Sequence, residues 1–173
     1  MKRILFAAAA ALSTTLPAFS HATLEVKHAE LNSTYKAVMR IGHGCDGQAT
    51  LKVRITIPEG VISVKPMPKA GWELTTIRGD YAKTYDYYGP KSEGVKEIIW
   101  TGSLEDQHYD EFVFRGRITD AFEDGQTIHF PTVQECADGS NDWVEIPAEG
   151  QDPHDLDGPA PALLLNAGGH AHH

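Results

Sequence analysis

Two stretches with a period of two constrain this chain more than anything else in it. Tyr35, Ala37, Met39 and Ile41 alternate with Lys36 and Arg40, and Leu51, Val53, Ile55 and Ile57 alternate with Lys52, Arg54 and Thr56. Successive side chains on a strand point to opposite faces, so each stretch reads as a strand with one face on a core. Shorter candidates surround them: Thr23 to Val26, Val61 to Lys65, Trp72 to Leu74, Lys83 to Tyr87, Val95 to Thr101, Glu111 to Ile118, Thr127 to Phe130 and Trp143 to Ile146. Pro58-Glu59-Gly60 and Pro66-Met67-Pro68-Lys69-Ala70-Gly71 punctuate the series as turns. No long helical period competes. The pattern predicts an all-β antiparallel β-sandwich, with a closed barrel as the alternative.

The first twenty residues follow a different rule. Lys2 and Arg3 precede the apolar run Ile4 to Leu12, and small residues stand at Ala18 and Ser20. This reads as a secretory signal peptide, its apolar segment being too short to span a bilayer. A small-x-small cut falls after Ser20, releasing His21, or after Ala22, releasing Thr23. The expected organisation is a leader at 1–20, a β-sandwich at 21–147 and a Pro/Gly/His-rich extension at 148–173. Gly150 to Pro161 is a poor sheet former, Ala162 to Leu165 is expected to dock on the sandwich, and the end carrying His170, His172 and His173 to stay loose.

Losing Lys2 and Arg3 takes the net charge from -9 to -11, because the leader holds no acid. That balance argues against nucleic acid and anionic lipid as partners and suits a cation. No second apolar run is long enough to span a membrane, so the mature chain is expected to be exported, periplasmic or secreted. In an oxidising compartment Cys45 and Cys136 most simply form a disulfide, the alternative being two thiolate metal ligands.

A chain beginning at His21 offers a metal its α-amine and its imidazole in one chelate. Both nitrogens deprotonate near neutral pH, and Cu(II) prefers such donors. Without that cut His21 is an ordinary surface residue. The loop His43-Gly44-Cys45-Asp46-Gly47 is a tight turn in which Asp46 can bond its own backbone. A Cys45–Cys136 bridge would hold His43 or Asp46 in place, and Asp46 is then a candidate oxygen ligand. Trp143 follows Cys136 by seven residues and reads either as core or as an indole beside the metal. Met39 reads as core, and Met67, between two prolines, as a candidate soft ligand for Cu(I).

The motifs His21-Ala22-Thr23-Leu24-Glu25-Val26, His43-Gly44-Cys45-Asp46-Gly47, Ile57-Pro58-Glu59-Gly60-Val61, Lys69-Ala70-Gly71-Trp72, Ile99-Trp100-Thr101-Gly102, Phe130 to Cys136 and Pro159-Ala160-Pro161-Ala162-Leu163 fall in order along the chain. Together they resemble the YcnI-type copper-binding domain. The resemblance implies a cupredoxin-like or immunoglobulin-like sandwich that binds Cu(II) through a mono-histidine brace. In such a site the terminal histidine gives amine and ring nitrogens, an acid gives oxygen, and a tryptophan lies close by. His21 and Trp143 carry over directly. Asp46 stands nearest to the family's acid, with Glu25, Glu111 and His43 as secondary candidates.

Three classes of function follow. The first is an exported copper carrier passing Cu(II) to another copper-handling protein in trafficking or homeostasis, with no catalysis. A copper oxidative enzyme is the second; it needs another histidine facing the first, and only His43 or His129 is on offer. The third is a metal-independent interaction module using Tyr81, Tyr85, Tyr87 and Tyr88 as an aromatic patch. Hydrolase and nucleotide signatures are missing, and Asp110 and Glu111, adjacent on a strand, face opposite ways. The expectation is a non-enzyme.

Overall fold

Twelve strands carry the fold of this computed structural model, which describes residues 21–167; the expected leader and the histidines 170, 172 and 173 lie outside the described residues. They are β1 (Thr23–Leu24), β2 (His28–Glu30), β3 (Thr34–Ile41), β4 (Thr50–Thr56), β5 (Val61–Pro66), β6 (Glu73–Asp86), β7 (Pro90–Leu104), β8 (Asp110–Ile118), β9 (Thr127–His129), β10 (Thr132–Cys136), β11 (Ser140–Trp143) and β12 (Ala162–Asn166). One sheet runs β1-β3-β8-β5 and the other β11-β10-β4-β7-β6. Every pairing within these two sheets is antiparallel, as the alternation predicts.

The inward faces meet in a core of Trp100, Phe112, Phe114, Phe130, Met39, Ile55 and Ile98, all essentially inaccessible. Burying each large side chain contributes roughly 1.5–3 kcal/mol. Edge-on and tilted ring contacts knit the layers, with Trp100 5.5 Å and Trp72 4.8 Å from Phe112. Met39 is core, as expected; Met67 is exposed, and its carbonyl accepts from the Trp100 indole N–H at 3.3 Å.

The pattern is corrected in three places. Trp72 to Leu74 and Lys83 to Tyr87 are not separate strands: β6 spans Glu73 to Asp86, pairing with β7 from Glu73 to Asp80 and again at Tyr85 and Asp86, with register shifts after Ile77 and after Asp80. In β4 a register shift between Thr50 and Lys52 turns Leu51 outward and puts Thr50 in the core instead. The candidate at Trp143 to Ile146 is displaced toward the N-terminus: β11 spans Ser140 to Trp143 and ends there. There Glu145 leaves the ladder and bonds the extension, donating to the Gly158 carbonyl at 2.9 Å and accepting from Ala160 N–H at 2.8 Å.

The extension returns to the sandwich. Strand β12 lies between β2, which it pairs in parallel, and β9, with Leu163 and Leu165 fully buried. Before it, Gly150 to Pro161 forms no strand and carries one 3₁₀ turn, Pro153–Asp155, whose N-cap Asp152 accepts from His154 N–H at 2.9 Å. Among the described residues no helix is long and apolar enough to cross a membrane.

Candidate metal centre

Strand β1 is the edge of one sheet and β11 the edge of the other. Register pairs Thr23 with Arg40 and Leu24 with Met39, so His21 extends β1 toward Gly42 and His43. Ala22 and Leu24 are buried and anchor this end of β1, leaving the His21 ring half-exposed at the seam between the sheets. Across that seam stands Trp143, the last residue of β11 and itself buried. The two rings lie 5.2 Å apart between centroids, tilted by 52°.

Gln134 holds Trp143 in place, a residue that the alternation marks only as inward-facing. Its Oε1 accepts from the Trp143 indole N–H at 3.4 Å, while its Nε2 donates to the His43 carbonyl at 2.6 Å and to Thr50 Oγ1 at 2.7 Å. Buried amides must be satisfied, and this one is satisfied by three separate elements. The indole N–H is thereby committed inward, and the ring closes one side of His21.

The disulfide Cys45–Cys136 joins the His43 loop to the end of β10, across 91 residues of sequence. It excludes the thiolate alternative. Asp46 and Gly47, both at positive φ (48° and 83°), form the two-residue turn between Cys45 and Gln48. Such primed turns favour Asp-Gly, which accounts for Asp46 by backbone geometry; its side chain is exposed. His43 Nδ1 donates to the Gly44 carbonyl at 2.6 Å, so that nitrogen is committed to the loop.

The secondary acids are engaged elsewhere. Glu25 and Glu111 flank Arg40 at 3.5 and 3.7 Å, and the Tyr109 hydroxyl also bonds Glu111. His129 lines an adjoining depression, and burial pulls its pKa down. Among the described residues, no three His, Cys, Asp or Glu side chains gather as a metal site. His21 thus presents an imidazole beside Trp143, and among the described residues no cluster of acids joins it.

A further histidine comes to this place. His154, on the Pro153–Asp155 turn, lines with His21 one shallow depression of about 240 Å³, floored by Pro159, Ala160 and Pro161. Glu145, two residues past Trp143, staples the turn's far side by accepting from Gly158 N–H at 2.7 Å. Sequence reading attached no role to His154; the capped Asp152-Pro153-His154 turn was the available signal.

A family model described as a domain of unknown function, DUF1775, matches residues 21–165. No curated protein matches the chain. Among solved structures, an uncharacterized protein from Nocardia farcinica, whose crystal structure reveals an immunoglobulin-like fold, superposes with a TM-score of 0.65 at 23% identity. The match covers 85% of this chain and 99% of that one, and at such identity it speaks to the fold, an immunoglobulin-like sandwich.

Proposed function

The chain belongs to the DUF1775 family, and on that premise we propose that it is an exported protein that holds Cu(II) at a processed N-terminal His21 and passes it on in copper trafficking or homeostasis. YcnI-type domains, which the motifs resemble, fall in the same family. The observation that carries the reading is the approach of the His21 ring to Trp143 at 5.2 Å.

In this reading a cut after Ser20 frees the α-amine, and amine and ring nitrogen chelate the ion. Copper supplies a Lewis-acidic, redox-capable centre when bound. The chain's own residues do the rest: Ala22 and Leu24 pin the terminus, Trp143 excludes solvent from one side, and Gln134 keeps the indole from turning. His154 faces the same depression and offers a second imidazole. The protein is a carrier, not a catalyst, and the Cys45–Cys136 disulfide is consistent with an oxidising compartment.

The test is to isolate the secreted protein, determine its first residue by intact mass and sequencing, and titrate it with Cu(II) beside His21→Ala. The reading expects a chain starting at His21 that binds one equivalent with nitrogen hyperfine structure in its EPR spectrum, lost in the variant. A chain starting at Thr23, or equal binding by both proteins, overturns it. Oxygen-dependent turnover by the loaded protein would replace the carrier with an enzyme.

A further inference from the structure

Cations on both sheets are matched by acids, as Arg40 is by Glu25 and Glu111, but one row on the β1-β3-β8-β5 sheet is not. On the β11-β10-β4-β7-β6 sheet, cations are matched by acids: Lys52 meets Glu135 at 2.8 Å, and Arg54 bridges Glu97 at 2.5 Å and Glu135 at 2.9 Å. On the β1-β3-β8-β5 sheet, Lys36 pairs with Arg115 across β3 and β8, and Lys65 pairs with Arg115 across β5 and β8. Three cations thus stand in one cross-strand row, an arrangement that repels itself.

The backbone is distorted to make that row. In β5 the register is regular through Ile62 opposite Arg117, then shifts so that Lys65, not Val64, faces Arg115. The bulge centres on Ser63, which sits at φ 51°, a left-handed conformation unusual for a residue with a side chain. Strain of this kind is kept at functional places more often than elsewhere.

A wall stands beside the row. The β6–β7 hairpin outruns the sandwich and packs Tyr81 and Tyr85 on Ile62, forming a small second core at the β5 edge. Its tip, Tyr87 and Tyr88, encloses with Lys65, Lys91, Arg115 and Arg117 a groove of about 360 Å³. Tyr88 is also at positive φ (51°) and is almost fully exposed, while the Arg117 guanidinium lies 4.9 Å over the Tyr87 ring. No Asp or Glu lines the groove, and among the described residues none of its four cations forms an ion pair. Asp86 and Asp120 line the adjoining depression on the far side of Arg117, beyond ion-pair distance. The chain has 24 acids against 15 Lys and Arg, so four cations left together without one are held apart from the available counter-charges.

We infer that this groove is a binding site for a diphosphate group, carried by a small molecule or by a lipid headgroup. Two guanidiniums present forked donors suited to phosphoryl oxygens, and two ammoniums add point charge. Four positive charges in so small a space call for a ligand of comparable charge density, which a diphosphate has and a single carboxylate lacks. Tyr87 and Tyr88 offer an apolar flank to whatever the group is attached to. The site lies apart from His21 and needs no metal, so it stands or falls independently of the copper reading.

The experiment titrates the metal-free protein with inorganic pyrophosphate at fixed ionic strength, following backbone amides by NMR and heat by calorimetry. Expected is saturable binding, with shifts at Tyr87, Tyr88, Arg115 and Arg117, weakened tenfold or more in Arg115→Gln/Arg117→Gln and unchanged in Lys52→Gln on the opposite face. Removing self-repulsion, the double variant should melt no lower than the parent; Lys65→Gln/Lys91→Gln provides a second variant with the same expectation. Co-sedimentation with phosphatidylcholine vesicles carrying a long-chain polyprenyl diphosphate but not with phosphatidylcholine vesicles alone, lost in the double variant, would place the diphosphate on a lipid; pyrophosphate binding without vesicle binding would place it on a soluble molecule. Absence of saturable pyrophosphate binding, or equal binding by parent and both variants, overturns the proposal.

Discussion

Gln134 shows how much a single side chain can organise without touching a ligand. It is buried, and its amide meets the His43 carbonyl, the Thr50 hydroxyl and the Trp143 indole N–H at once. Shortening it strands three buried polar groups, each costing on the order of 1–3 kcal/mol when left unpaired. Gln134→Ala should therefore lower the unfolding free energy by about 3 kcal/mol in urea titrations and shift the Trp143 emission. Gln134→Glu, whose carboxylate can donate to neither the His43 carbonyl nor Thr50 and buries a charge, should cost at least as much. A loss below about 0.5 kcal/mol would mean that water replaces the amide and that Trp143 is held by packing alone. The period-two pattern marks Gln134 only as an inward position; nothing local says which polar groups await it there.

At the level of elements, the Cys45–Cys136 bridge and the returning extension decide the shape of the edge that carries His21. The bridge closes a loop spanning 91 residues and ties the β3–β4 turn to β10. On the chain-entropy model such a loop contributes about 4–5 kcal/mol. Cys45→Ala/Cys136→Ala should accordingly lower the melting temperature by on the order of 10 °C for a chain of this size. The fall should be matched by the parent under strong reductant, and an unchanged melting curve would show that the bridge constrains little. Strand β12 answers the question posed by the composition of the extension: Gly150 to Pro161 stays out of the sheets, but Leu163 and Leu165 reach the core, and the expected docking is observed. Period and turn signals placed most strands correctly. The merging of two short candidates into β6 escaped them because Thr75 to Asp80 is largely polar and is held by its β7 partner instead of by alternating apolar residues.

Over the whole molecule, cations on both sheets meet acids, and one row on the β1-β3-β8-β5 sheet does not. Glu135 is held below the usual carboxylate range by hydrogen bonds from Lys52 and then Arg54. For Glu59, burial pushes upward, but bonds from Lys96, Tyr85 and the Ala82 N–H outweigh it and the net shift is downward. A carboxylate with a depressed folded pKa contributes stability that is present above its unfolded value, near 4.3, and lost as pH falls through the folded one. The melting temperature should thus hold above about pH 5 and decline below about pH 4, with a shallower acid limb in Glu135→Gln. A parallel decline in parent and variant would assign acid loss to other groups. The net charge of -9 pointed away from anionic partners, yet the same sequence leaves one outer face with a row of unpaired cations. Composition averages over faces, and only register separates them.

What the sequence by itself determined is local: strand period, turn residues, and the motifs that mark the family. These depend on neighbours within a few residues, where backbone geometry and alternation dictate the outcome. Tertiary structure alone decided that the edges β1 and β11 meet, so that His21 faces Trp143, that the capped turn at His154 returns to the same depression, and that a bulge at Ser63 sets Lys65 against Arg115. Each of these joins residues far apart in the chain through sheet order and register, and a shift of one residue in any pairing would turn the side chains to the opposite face.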